Sequence, residues 1–193
     1  MESAAKHFME VGFAGTSIRQ VCKDAGVTNG AFYAHFESKE DLFGKLVGPA
    51  LEGLDELRGN EVSHYMEIRS PEDVLEALSL EFATDEAVIH YIYEHKDAFL
   101  LLLKASGGTS FESYPSRIVE EEKSGTIAFF ELCKPFVRKP ENMSESVAVQ
   151  ASSFIVSTIF DCLLSEKTEG EAVREVQLAS EFCIAGLRQI WGM

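Results

Sequence analysis

Between Thr28 and His35 the chain sets out a hydroxyl (Thr28), a carboxamide (Asn29), a methyl group (Ala31), a phenol (Tyr33) and an imidazole (His35), with Gly30 among them. No nucleophile here is paired with a base. These are instead groups that can bind a polar partner, DNA among them. A hydroxyl, phenol or imidazole bonds a phosphate oxygen, a carboxamide matches the edge of a base, and a methyl group rests on the thymine methyl. Gly30, having no side chain, lets the backbone come close. Upstream stand two further hydroxyls and a guanidinium, at Thr16, Ser17 and Arg19, and downstream the ammonium of Lys39.

Other chemistry finds little support. The chain has no GxSxG, HExxH, phosphate-loop or dinucleotide signature, and Ser106-Gly107-Gly108-Thr109 lacks the lysine and the preceding strand of a phosphate loop. His90 and Glu94 lie four apart, which puts them on one helical face, but two ligands do not make a metal site. Cys22, Cys133, Cys162 and Cys183 stand singly, without the paired spacing of a zinc or disulfide framework, and read as small buried residues. No catalytic residue, metal or cofactor is expected. The chain reads as a binding protein rather than an enzyme, a non-DNA dimeric scaffold being the other binding class left open.

The elements that must position the DNA-reading groups are helices. Apolar residues recur at three- and four-residue spacing nearly throughout, with almost no period-two alternation, so the fold class is all-α. A first helix, about Ser3 to Val11, carries Ala4, Phe8 and Val11 on one stripe and stops at Gly12. A second starts at Thr16 or Ser17 and buries Ile18, Val21, Cys22 and Ala25 before Gly26 turns the chain. The third has Thr28 as its N-cap, Val27 and Phe32 as a hydrophobic staple and Phe36 on its buried stripe. At about eight residues, or roughly 12 Å, it suits one traverse of a major groove about 12 Å wide. Ser38 to Asp41 reads as a capping box for a long fourth helix whose core face is Leu42, Phe43, Leu46, Val47, Ala50, Leu51 and Leu54.

Two short helices about a tight glycine turn, the second capped by threonine and set with small polar groups, describe a helix-turn-helix. The run TSIRQVCKDAGVTNGAFYAHFESK, from Thr16 to Lys39, closely resembles the DNA-binding segment of the TetR/AcrR family of bacterial transcriptional regulators. The resemblance covers about residues 3 to 48. It implies a three-helix head over residues 1–48 that binds double-stranded operator DNA, and a helical ligand-binding and dimerisation domain over residues 49–193. It also implies that the site residues are Thr16, Ser17, Arg19, Thr28, Asn29, Gly30, Ala31, Tyr33, His35 and Lys39. The chain begins inside the first helix, without the basic residues that usually precede it in this family.

Further helices are expected near 72–94, 96–105, 114–137, 145–166 and 170–191. By the resemblance they surround a cavity for a small-molecule effector, for which Phe82, Tyr91, Phe99, Phe111, Tyr114, Phe130 and Phe154 are the candidate aromatics. The last two helices are apolar on more than one face. Each needs a second cover, and the expected cover is another copy of the chain, giving a homodimer through Phe154, Ile155, Ile159, Leu163, Phe182, Leu187, Ile190 and Trp191.

The net charge of −15 runs against a phosphate-binding protein until its distribution is read. Residues 1–50 hold five Lys/Arg against six Asp/Glu, a net −1, which leaves −14 on the rest. A nearly neutral head can bind DNA while an acidic body is held off it. Such a body favours a neutral or cationic hydrophobic effector over a multiply anionic one. Uninterrupted apolar runs such as Ala98 to Leu103 fall far short of a bilayer span, and no leader pattern opens the chain. No membrane partner is expected, and a cytoplasmic location is.

Overall fold

The computed structural model describes residues 1–59 and 68–193, with all of their side chains except those of 79–85 and 148. Among these residues the regular elements are helical: α1 (Glu2–Gly15), α2 (Ile18–Asp24), α3 (Asn29–Tyr33), α4 (Lys39–Gly59), α5 (Pro71–Glu94), α6 (Lys96–Ala105), α7 (Tyr114–Cys133), α8 (Glu145–Leu164) and α9 (Glu169–Trp191). Single 3₁₀ turns at Lys134–Phe136 and Pro140–Asn142 link α7 to α8. The all-α expectation holds for the described chain.

The residues pack as two units, one of Met1–Asp55 with His95–Pro115, the other of Glu56–Glu94 with Ser116–Met193. In the first, Phe8 and Phe43 are fully buried with ring centroids 5.1 Å apart, and Phe13 stands 5.9 and 5.8 Å from the two rings. Helix α6 packs on α1 and buries Phe99, Leu101, Leu102 and Ala105. Helix α4 buries Leu42, Phe43, Val47, Ala50, Leu51 and Leu54 as expected, while Leu46 is only half-buried. It also runs through Pro49, which cannot donate to the Lys45 carbonyl one turn back.

Two expected core positions lie outside. Val11 is 56% exposed at the end of the regular part of α1, just before Gly12, at φ 71° and ψ 171°, kinks the chain. Ala25 is exposed at the end of α2, where Gly26 at φ 68° reverses the chain. Both glycines hold a left-handed φ that a side chain would strain.

In the second unit α8 and α9 pack together, and α9 also packs on α5. A core of Val74, Ala77, Leu78, Phe129, Phe130, Cys133, Met143 and Leu187 closes around Trp191, whose ring meets Phe130 edge-on at 4.8 Å. Burial pushes the Cys133 thiol up to about 12, which keeps it protonated and inert. Arg58 donates to Glu122 at 2.7 Å and Glu121 at 3.1 Å, so this largely buried guanidinium meets two carboxylates. Helix α9 opens with a full capping box between Thr168 and Glu171, and ends at Gly192 with φ 76°.

Helix α8 is, among the described residues, long and apolar enough by length and composition to cross a membrane. Uninterrupted apolar runs do not reveal this, because Ser152, Ser157 and Thr158 break the sequence without adding charge. In the fold, Ser152, Val156, Ile159, Cys162 and Leu163 of this helix are buried inside the unit.

Candidate nucleic-acid interface

The turn between α2 and α3 is built from local rules. Gly26 donates its backbone N–H to Lys23 and Val27 donates to Cys22, which ends α2. Thr28, extended at φ −86° and ψ 157°, accepts the Ala31 N–H on its hydroxyl at 3.1 Å and so starts α3. That leaves the hydroxyl proton free to donate outward. The regular helix is five residues long, shorter than expected, but Phe36 N–H still reaches the Phe32 carbonyl at 2.9 Å, so the turn continues past His35. Phe32 is buried, Phe36 half-buried against it at 5.2 Å, and both anchor the element from below. Val27, the other half of the expected staple, is exposed.

That anchoring turns a row of groups outward. Thr28, Asn29, Gly30, Ala31, Tyr33 and His35 are all exposed, Tyr33 at 61%, and so are Ser17 and Arg19 at the start of α2. Eight of the ten sequence-derived residues are thus open to solvent in the first unit.

The other two are turned inward. Thr16 is buried, and its hydroxyl donates to the Gly12 carbonyl at 2.7 Å, closing the kinked end of α1. Lys39 reaches back from α4, and its ammonium donates to the carbonyls of Phe13 at 2.6 Å, Thr16 at 3.0 Å and Ala14 at 3.5 Å, 4.4 Å above the Phe13 ring. A cation belongs there because carbonyls left open at a helix C-terminus carry partial negative charge. Both side chains therefore hold the α1–α2 corner. The capping box at Ser38 differs in one bond: Ser38 accepts the Asp41 N–H at 3.0 Å, but the Asp41 carboxylate accepts from Glu37 rather than from Ser38.

Further bonds fix α1 against α2. The Ser3 hydroxyl donates to the Val21 carbonyl at 3.0 Å, and His7 Nε2 lies 2.7 Å from Asp24 Oδ2. The His7 bond, helped by one from Gln20, holds the Asp24 carboxyl below its ordinary range. The α6–α7 loop completes the setting, since Ser110 N–H donates to Glu40 at 2.8 Å and lowers the pKa of that carboxyl in turn.

The effector and dimer candidates are dispersed. In the first unit Phe99 is fully buried, Phe111 lies against Phe43 at 6.0 Å, and the buried Tyr114 hydroxyl is 2.7 Å from Asp55 and 3.2 Å from the Leu51 carbonyl. In the second, Tyr91 is half-buried and Phe130 belongs to the Trp191 core. The Phe82 side chain lies outside those described. Of the dimer candidates, Ile159, Leu163, Leu187 and Trp191 are buried inside their own unit, because α5, α7, α8 and α9 already cover them. Ile155 and Ile190 are half-buried. What stands open is Phe154 at 44% and Phe182 at 73%, their rings 6.1 Å apart, together with Leu164 and Leu178. Sequence reasoning passed over Leu178, although its place four residues before Phe182 puts both on one face.

His90 lies between two carboxylates. Its Nδ1 lies 2.8 Å from Glu169 and its Nε2 3.5 Å from Glu94, and the Glu169 bond raises its pKa. Among the described residues no three His, Cys, Asp or Glu side chains are grouped to hold a metal.

Comparison with known proteins agrees with this geometry. Residues 1–46 match the family described as bacterial regulatory proteins, tetR family. The chain is 41% identical over 46 residues to the HTH-type transcriptional regulator AcrR of Shigella flexneri, a match covering 24% of this chain and 21% of that one. It is 34% identical over 86 residues to the HTH-type transcriptional repressor BepR of Brucella suis, covering 44% and 41%. The matches thus span well under half the length of these relatives. A solved TetR-family structure from Streptomyces coelicolor A3 superposes with a TM-score of 0.60 over 99% of this chain and 88% of its own, at 20% identity, which establishes the shared fold. The open residues of α2 and α3 therefore lie in a stretch, residues 1–46, that matches the family of bacterial regulatory proteins described as the tetR family.

Proposed function

We propose that this chain is a DNA-binding transcriptional regulator that acts as a repressor, two copies binding a palindromic operator until a small hydrophobic effector releases them. The observation that carries the DNA-binding part is the exposed row of Ser17, Arg19, Thr28, Asn29, Gly30, Ala31, Tyr33 and His35, held up by the buried Phe32 in a domain of this family. Asn29 reads a base edge and Ala31 a thymine methyl. Thr28, Tyr33, His35, Ser17 and Arg19 hold phosphates on either side. The proposed division of labour is DNA contact by residues 1–48 and sensing and pairing by residues 49–193, with no catalytic step and no cofactor.

Pairing through α8 and α9 is supported by the open Phe154 and Phe182. Two exposed rings on one helix pair form an apolar patch that a second copy would cover, and a two-fold pair would present two recognition helices to one side of the duplex. Release requires an effector that binds better to a state in which those helices are wrongly spaced. Within the first unit the α6–α7 loop bears on α4 through Glu40–Ser110 and through Phe111 over Gly44, so movement of that loop would tilt the helix that follows the recognition element. The decisive experiment is gel retardation of the DNA upstream of the chain's own gene, then repeated with panels of hydrophobic cations, neutral lipophiles and anions. A retarded band released by neutral or cationic compounds supports the reading. Absence of any DNA complex refutes it, and release by anions alone refutes the choice of effector class.

A further inference from the structure

The first fifty residues hold few cations, and a phosphate-binding face must use those it can spare. Lys39, the cation expected at the start of α4, has three ammonium protons and three carbonyl acceptors, those of Phe13, Ala14 and Thr16. Turning it toward DNA would strip the α1–α2 corner of all three bonds. One and a half turns further along α4, Lys45 is in the opposite condition. Its side chain is 51% exposed, and its ammonium donates to the His35 carbonyl at 3.1 Å, lies 3.4 Å from the Asp41 carboxylate and rests 5.0 Å over the Phe36 ring. Those contacts seat it at the trailing end of the recognition element, against His35 and Phe36. The Asp41 carboxylate oxygen that faces it already accepts the Glu37 N–H, so the pair is shared, half in water and easily exchanged for a phosphate.

We propose that Lys45 is the cation that meets a DNA phosphate on the α4 side of the interface, and that Lys39 is a positioning residue that never leaves the α1–α2 corner. This rests on the DNA-binding reading above and adds to it a division of labour between two lysines. A lysine that neutralises a phosphate releases a counterion, and its removal lowers the slope of log affinity against log salt by about 0.9. Removal of a positioning residue lowers affinity at every salt concentration and leaves the slope alone.

The test measures binding of a short duplex from the DNA upstream of the chain's own gene by fluorescence anisotropy across a salt series, for the parent, Lys45→Gln and Lys39→Met. Lys45→Gln should flatten the slope by about one counterion, which over a fourfold rise in salt makes its loss of affinity about threefold smaller than the parent's. Lys39→Met should keep the parental slope. A parental slope in Lys45→Gln, or a slope lost in Lys39→Met instead, overturns the assignment. A parent that binds no duplex overturns the DNA-binding reading itself. Should Lys39→Met fail to fold, acetylation of the parent by an N-hydroxysuccinimide ester, read by mass spectrometry, serves in its place. Lys45 should react when free and be protected by DNA, and Lys39 should be slow in both states; DNA-dependent protection of Lys39 rather than Lys45 refutes the proposal.

Discussion

Gly44 offers a measurement of how firmly the α6–α7 loop is seated on α4. It lies in the second turn of the helix, and a Cβ built there would stand 3.3 Å from Phe111 Cζ and 3.4 Å from Cε2. Two terms oppose each other in Gly44→Ala. The alanine removes the helix penalty of glycine, a gain of about 1 kcal/mol. Against this, the ring must retreat by a few tenths of an ångström from a contact tighter than the ~3.5–4.0 Å optimum. Phe111 is half-buried, on a loop pinned by Ser110 to Glu40 and by its own N–H to the Thr109 hydroxyl at 3.1 Å, so it yields partly. We set that cost at about 0.5–1 kcal/mol, below the cost of overpacking a closed core, and the net change near zero.

Gly125 in α7 is the control, since nothing lies within 4 Å of the Cβ it lacks, and Gly125→Ala should gain the full ~1 kcal/mol. In a Phe111→Ala background Gly44→Ala should also recover that gain, so the double-mutant cycle should close with a coupling of about 0.5–1 kcal/mol. Urea and thermal unfolding followed by circular dichroism would read these differences, 1 kcal/mol corresponding to roughly 2–4 °C at this chain length. Equal stabilisation by Gly44→Ala with and without the ring would show that Phe111 does not rest on α4, and the loop's part in moving the recognition element would fall with it.

The remaining expectations concern the interface, the pairing face and pH. Tyr33→Phe should weaken binding to every duplex by about 1 kcal/mol, while Asn29→Ala should cost roughly 1–3 kcal/mol on the operator alone and relax its sequence preference; parental affinity in both variants would remove them from the interface. Phe182→Asp should give a folded monomer by light scattering at a concentration where the parent is a dimer, and an unchanged mass would put the contact elsewhere. The His90 bond to Glu169 raises its pKa above the ordinary 6.5, so the tie between α5 and α9 contributes below that value and is lost as pH rises through the folded pKa. The stability gap between the parent and His90→Gln should therefore narrow from mildly acidic to mildly basic pH; a gap that widens would contradict it.

The sequence carried the helices well because each is written in local terms. Thr28, Ser38 and Thr168 cap where side-chain oxygens precede apolar periodicity, and the expected spans of α5, α6, α8 and α9 agree with those observed to within two residues. The outward turn of Tyr33 and His35 was equally legible, because a helix that buries Phe32 and Phe36 must show the residues between them to water. What periodicity could not give was the partner of a polar side chain distant in sequence. Nothing local says that Lys39 spans twenty-six residues to the Phe13 carbonyl. The same limit applied to Trp191 and Leu163. An apolar stripe states that a residue is covered but not whether the cover is the same chain or another, and here the same chain covers both.

The charge distribution then bears on how such a head would find its site. By sequence the first unit carries −3 and the second −12, so most of the acidity belongs to the unit that does not hold the recognition helix. Of the five cations in residues 1–50, Lys39 is spent on the α1–α2 corner and Lys6 stands 3.9 Å from Glu10. Few are left for phosphates, so the salt-dependent, sequence-independent part of DNA affinity is small from the outset. A protein so poor in phosphate contacts gains little from non-specific DNA, and the acidic unit repels it further. Under the proposed function, discrimination would then rest on base-edge contacts by residues such as Asn29, on the spacing of two recognition helices, and on DNA shape, terms that a wrong sequence forfeits. On this reading the net −15 does not oppose a regulatory role. It lowers the background from which the operator must be distinguished, so that modest operator affinity is enough for occupancy and a modest shift in helix spacing is enough for release.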